Sequence, residues 1–223
     1  MNNLNILYED NHIIVVVKPV NVLSQKDITN DPDMLTIIKA YLKEKYHKPG
    51  NVYLGLVHRL DRMVGGVMVF AKTSKAASRL SNDIRENKMH KTYLAVCHGK
   101  VDKSGTLKNY LKKESDFKSI ITNEKEGKLA VLNYELIDYD KEKDLSLIRV
   151  DLITGRHHQI RCQFSNINHA LVGDKRYGND NYQNIGLFAY QLSFIHPVKK
   201  EEMTFTFLPD FEPFNYFQIN NIL

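Results

Sequence analysis

Two short apolar runs, Leu54-Gly55-Leu56-Val57 and Val67-Met68-Val69-Phe70-Ala71, stand on either side of a knot of charge, His58-Arg59-Leu60-Asp61-Arg62. Runs of this length bounded by glycine read as buried strands. The charges must then sit in a loop where the chain leaves one buried segment and enters the next. Gly65-Gly66 marks a bend beside that loop and leads into the second strand. A carboxylate held there, with His58, Arg59 and Arg62 close in sequence, is favoured in its charged form. That suits Asp61 to nucleophilic work, and it equally suits a structural ion pair.

The rest of the chain supplies strands and a few helices around this point. Leu4 to Tyr8 and His12 to Val17 are β-rich runs parted by the turn-forming Glu9-Asp10-Asn11, which predicts an opening hairpin that Lys18-Pro19 ends. Asn21 follows, where a left-handed backbone is expected. Asp31-Pro32 reads as a helix cap ahead of Met34, Ile37, Ile38, Tyr41 and Leu42 at helical spacing. Thr73 or Ser74 caps a second helix with Ala76, Ala77, Leu80 and Ile84 inward and Lys75, Arg79, Arg85 and Lys88 outward. Tyr93 to Val96 is a buried strand, and Gly99 to Lys128 reads only as loops and short strands. Ile148, Val150 and Leu152 alternate with polar residues up to the turn Thr154-Gly155-Arg156. In a helix starting after that turn, His157, Ile160, Arg161 and Phe164 share a face, so Arg161 lies against an apolar surface and needs an anion. Leu192 to Ile195 and Met203 to Phe207 frame a terminal hairpin.

No linker, repeat or low-complexity tract divides the 223 residues, 43% of them hydrophobic, so one α+β domain is expected. No stretch approaches the roughly 18 apolar residues of a membrane span, and the start lacks a signal-peptide pattern, which together predict a cytoplasmic protein. Cys97 and Cys162 are too few and too far apart for a disulfide scaffold or a cysteine zinc site. Nine histidines include the pair His157-His158, but side chains adjacent on a helix diverge by about 100°, and no His-Glu-x-x-His motif accompanies them; no metal is expected. There is no phosphate-cradling glycine loop, hence no nucleotide cofactor, and no Gly-x-Ser-x-Gly elbow. Charge is unevenly placed: Lys72 to Lys113 carries eleven Lys/Arg against three Asp/Glu, whereas Glu201 to Leu223 carries four acids and no Lys/Arg. Such segregation suits a polyanion-facing surface.

The motifs in their order resemble the RluA group of RNA pseudouridine synthases. His58-Arg59-Leu60-Asp61 with Gly66 to Lys72 is similar to that group's signature around its nucleophilic Asp. Lys18-Pro19, Lys91-Thr92-Tyr93, Leu152 to Arg161, His169 to Asp174, Tyr177-Gly178, Leu187 to Ala189 and His196-Pro197 match in the same order. Two departures stand out: Val64-Gly65-Gly66 replaces the usual Thr-Ser-Gly, and Asn21 replaces a common Gly.

The resemblance implies a single catalytic domain over residues 1–223 without a separate amino-terminal RNA-binding domain. Its expected fold is a mixed, largely antiparallel sheet flanked by helices and loops, with an active cleft across the sheet. It implies that a uridine in tRNA or ribosomal RNA is converted to pseudouridine without cofactor, by a protein expected to be a monomer. Asp61 would be the nucleophile and Arg161 its ion-pair partner. Tyr93 would stack on the base, Ile160 would form an apolar floor, and Arg59 would fill the place of the flipped base. His58, Arg62 and Arg156 would contact substrate. Two other classes carry some of the same features: a non-catalytic RNA-binding relative, and a metal-free RNA-cleaving enzyme using His58 with His157 or His158 as acid and base.

Overall fold

The computed structural model describes residues 4–29, 31–115 and 118–219. Its strands and helices are, in chain order, β1 (Ile6–Glu9), β2 (Ile13–Lys18), α1 (Met34–Lys45), β3 (Gly55–Leu56), β4 (Gly65–Ala71), α2 (Ser74–Arg85), β5 (His90–His98), β6 (Ser104–Lys113), β7 (Ser119–Thr122), β8 (Lys128–Asp140), β9 (Leu145–Leu152), α3 (Gln159–Asn166), β10 (Leu187–Ile195) and β11 (Glu202–Thr206). This is the expected α+β class, and every strand pairing with an assigned register is antiparallel. The chain forms two compact units, residues 1–90 with 191–207, and residues 91–190 with 208–223.

In the first unit β2 pairs with β1 on one side and with β4 on the other, from Ile13 opposite Ala71 to Lys18 opposite Gly66. All six residues of β2 are buried, which is why its sequence is a continuous run of Ile and Val rather than an alternation. Strand alternation sends Ile13, Val15, Val67, Val69 and Ala71 to one face, where they pack with Ala76 and Leu80 of α2 and with Leu192 and Phe194 of β10. Truncating Leu80, which is wholly buried, would cost about 2–5 kcal/mol. Thr73 caps α2 as expected, its side chain accepting the Ala76 N–H. The cap of α1 is Asp33 rather than Asp31: Asp33 has the extended backbone a cap needs and accepts the Thr36 N–H, while Asp31 pairs with Arg62. Asn21 does take positive φ, at 62°.

The second unit contains a five-strand antiparallel path, β5-β9-β8-β6-β7. The stretch from Gly99 to Lys128, expected to be loops and short strands, holds the ten-residue β6 and the start of the β8 arm. Half of β6 is exposed and Leu111 alone of its residues is buried, so the apolar alternation that marks a strand in sequence is weak there. On the inner side Leu111, Ala130 and Cys162 form a small cluster with Ile121 and Tyr177. Phe164 of α3 is fully buried and meets Tyr134 edge-on at 5.3 Å. Burial pushes the Cys162 thiol up to about 11 and the Cys97 thiol up to about 12, so neither is reactive.

Candidate active site

The loop that carries Asp61 is tied to its unit by three buried polar groups. Ser24 Oγ donates to the Leu60 carbonyl at 2.8 Å and accepts the Leu60 N–H at 3.1 Å. His58 is buried, and its Nε2 accepts the Val69 N–H at 3.1 Å, locking the loop onto β4. Lys18, at the end of β2, is completely buried and donates to the carbonyls of Pro19 (2.9 Å), Val22 (2.6 Å) and Arg62 (3.0 Å). Burial pushes this ammonium down to about 7; the Asp61 carboxylate pulls it up and the Arg62 guanidinium pushes it down. Lys18 thus sets a positive charge beneath the loop while gathering three carbonyls that would otherwise lack donors.

With His58 and Leu60 inward, the residues between and after them turn outward: Arg59 is exposed and Asp61 half-buried. Burial thus alternates from His58 to Asp61, as it does along an extended stretch. Arg62 is exposed and directed to Asp31 at 2.7 Å. Of the basic residues around Asp61, His58 carries a scaffolding contact, the Val69 bond. Ser24 and Lys18 are the residues that reading Asp61 from its immediate neighbours misses; Lys18 was visible only as part of Lys18-Pro19.

In the second unit the turn from Thr154 to Gln159 is self-knotted. Thr154 Oγ1 accepts the Val131 N–H and donates to Gln159 Oε1, which also accepts the Arg156 N–H, while Gln159 Nε2 donates to the Val131 carbonyl. Ile160 and Arg161 follow on α3, both buried. The buried Arg161 does have its anion, and a close one is Asp174: Nε and Nη2 donate to the two carboxylate oxygens, each at 2.7 Å. Asp174 also accepts the N–H groups of Arg176 and Tyr177, and the Tyr177 ring lies 5.2 Å from the guanidinium carbon. A bidentate pair of this kind fixes the plane of the guanidinium. The turn that delivers Asp174 needs Gly173, whose φ is +71° and whose Cβ, if present, would stand 2.0 Å from the Asn184 carbonyl oxygen. The motif containing Asp174 was noted in the sequence; its bond to Arg161 could not be read from spacing. Tyr93 lies on β5 opposite Val150, with 7% of its surface exposed.

Two sequence expectations change here. His157 and His158 precede α3 rather than lying on it, and because His158 has φ 51° their rings stack at 3.8 Å instead of diverging. His157 Nδ1 lies 3.0 Å from Ser119 Oγ, and His158 Nδ1 lies 3.2 Å from Tyr177 Oη. With the Val69 bond to His58, each of the three histidines thus has one ring nitrogen engaged with a neighbouring group. The basic run from Lys72 to Lys113 is not one face: Lys72 binds Glu9, Arg79 donates to the Pro197 carbonyl, Lys88 pairs with Glu86, and Lys91 is partly buried. It is spread over α2 in the first unit and over strands of the second.

A family model described as RNA pseudouridylate synthase matches residues 12–166, a span that includes Lys18, Asp61, Tyr93 and Arg161. The chain is 33% identical over 227 aligned positions to the ribosomal large subunit pseudouridine synthase D of Haemophilus influenzae, covering 93% of this chain and 68% of that protein. It is 34% identical to an RNA pseudouridine synthase of Mycoplasma genitalium, covering 86% and 64%. The chain thus spans about two thirds of these relatives' length. In fold it is similar to the human RNA pseudouridylate synthase domain containing 4, with a TM-score of 0.76, 22% identity, and coverage of 92% and 88% of the two chains. With the match running through both the Asp61 loop and the Arg161 helix, the chain belongs to the RNA pseudouridylate synthase family.

Proposed function

We propose that this chain converts a uridine of ribosomal RNA to pseudouridine with Asp61 as its nucleophile. The reaction breaks the bond from the ribose C1′ to the uracil N1 and forms one from C1′ to C5; the proton leaves C5, and N1 gains one, so no redox partner or group donor is consumed. Supporting this reading above all is the build of the Asp61 loop. Ser24, His58 and Lys18 tie down its backbone, and Asp61 is half-buried beside the exposed Arg59. Rigid support of a reactive carboxylate is what positioning catalysis requires.

In this scheme Arg161, oriented by Asp174, supplies the countercharge to the nucleophile. Tyr93 stacks on the detached uracil, Ile160 closes the apolar floor, and Arg156 and Arg62 hold flanking phosphates. Arg59 takes the space of the flipped nucleotide, whose extrusion costs a few kcal/mol. The protein acts in the cytoplasm as a monomer and uses no nucleotide cofactor. Asp61→Asn is nearly isosteric and removes the nucleophile: pseudouridine-specific chemical labelling of ribosomal RNA incubated with it should show no product, with RNA affinity and melting temperature near wild type. Turnover by the pure variant would sink the assignment.

A further inference from the structure

Beyond the residues that flank the reacting base, the second unit contains a groove of about 390 Å³ lined by Leu111, Lys112 and Lys113 of β6, Ser119 of β7, Glu126 and Lys128 at the β8 turn, and Gly155, Arg156 and His157. The volume is at the lower end of sites that hold small ligands. Its charge is one-sided. Among the described lining residues, four cations from three separate segments meet one carboxylate, Glu126, which shares Lys112 with Glu114 at 3.6 Å each.

The cations are brought together by register rather than by sequence. Leu111 pairs with Lys128 across β6 and β8, and Lys112 and Lys113 pair with Ile120 and Ser119 across β6 and β7. Arg156 is fixed on the groove by its Nε, which donates to the Leu129 carbonyl at 2.8 Å, leaving its charge in place. Lys112, Lys113 and Lys128 are exposed. Among the described residues the aromatic ring in the lining is His157, and one of its faces is covered by His158. Like charges gathered on one wall fit a polyanion held through its charges.

We infer that this groove binds the phosphodiester backbone of the RNA strand beside the target nucleotide. The groove ends in Arg156 and His157, the turn that runs directly into Ile160 and Arg161, so a strand held there is delivered to the helix that carries the proposed countercharge. The RNA-isomerase reading above enters only in the choice of polyanion.

The test measures binding without turnover. Fluorescence anisotropy of a labelled oligoadenylate, which contains no uridine, is followed over a salt series for the full chain. A Lys112→Gln/Lys113→Gln/Lys128→Gln variant is compared with a control that neutralises Lys39, Lys43 and Lys141, exposed residues outside the groove. The groove variant should lose about tenfold or more in affinity, and its log–log salt slope should shrink by up to about 2, the share of three single-strand phosphate contacts. The control should lose much less. An oligoadenylate with uncharged methylphosphonate linkages should bind wild type as weakly as the ordinary strand binds the groove variant. Lys113→Gln/Lys128→Gln, which leaves the Lys112 ion pairs intact, should show an intermediate slope. Equal losses in groove variant and control would reduce the effect to net charge and overturn the proposal, as would tight binding of the uncharged strand. Displacement of the RNA by polyglutamate at equal charge concentration would assign the groove to an acidic peptide instead. If wild type binds as expected yet makes no pseudouridine, the functional reading fails and the groove stands.

Discussion

Lys18→Met removes a charge that never touches solvent, and its effect can be worked out at two levels. Methionine fills much the same volume but cannot donate, so the carbonyls of Pro19, Val22 and Arg62 lose their common partner. Each stranded acceptor costs about 1–3 kcal/mol, offset in part by relief of the buried ammonium. A net loss on the order of 3 kcal/mol lowers the melting temperature by about 10 °C in a chain of this size. The second level is pH. The ammonium titrates at about 7 in the folded protein against 10.5 in the open chain. Between those values the unfolded state holds a proton that the folded state has released, so the Lys18 contribution to stability rises with pH and is smallest below 7. The stability difference between wild type and Lys18→Met should therefore widen by about 2 kcal/mol from pH 7 to pH 9. Urea unfolding at both pH values, with isomerase turnover at a temperature where each protein is folded, provides the assay. A difference independent of pH would refute the buried ammonium, and full turnover in the folded variant would refute the coupling of Lys18 to the Asp61 loop.

Three further outcomes are expected. Asp174→Asn leaves the buried Arg161 with half its anchor and should cost about 3 kcal/mol together with most of the activity; a wild-type melting curve would show that the pair is dispensable. Arg59→Ala should slow single-turnover isomerisation about tenfold more on a stem-loop target than on one already unpaired, because only the first needs a substitute in the stack; equal losses would leave Arg59 a phosphate contact. Glu9 is the hub that ties α1 to the first hairpin: burial works to raise its pKa, but hydrogen bonds from Lys45, Lys72, Tyr46 and Tyr41 hold it at about 2. Its contribution is complete above the open-chain value of 4.5 and is lost as pH falls toward 2. Glu9→Gln should thus be less stable than wild type by about 2 kcal/mol at pH 7 and equal to it near pH 2, as read by urea unfolding.

The elements legible from sequence were those whose pattern is a property of one segment. β2 and β4 show as unbroken apolar runs, α2 shows through its Thr73 cap and the spacing of Ala76 and Leu80, and Asn21 shows as a residue suited to positive φ. The need of Arg161 for an anion was legible too, because an arginine on an apolar helix face permits little else. What was not legible depends on meetings between distant segments: Asp174 reaching Arg161, Ser24 reaching Leu60 across 36 positions, and Lys18 reaching the Arg62 carbonyl across 44. The histidine pair failed for a different reason. A single left-handed residue, His158, moves the helix start and turns two diverging side chains into a stack.

The division of β10 between the two units bears on how the chain is made. Residues 1–90 leave the ribosome first, yet the core that Ile13, Val67 and Leu80 begin is completed by Leu192 and Phe194. That stretch therefore emerges as a sheet with one wall missing, and must wait about a hundred residues of synthesis, the whole of 91–190, before the wall arrives. Contacts of such long sequence separation close slowly and leave apolar strand surface open to other chains in the meantime. A nascent chain stalled before residue 191 is thus the form of this protein most exposed to aggregation and most in need of a chaperone.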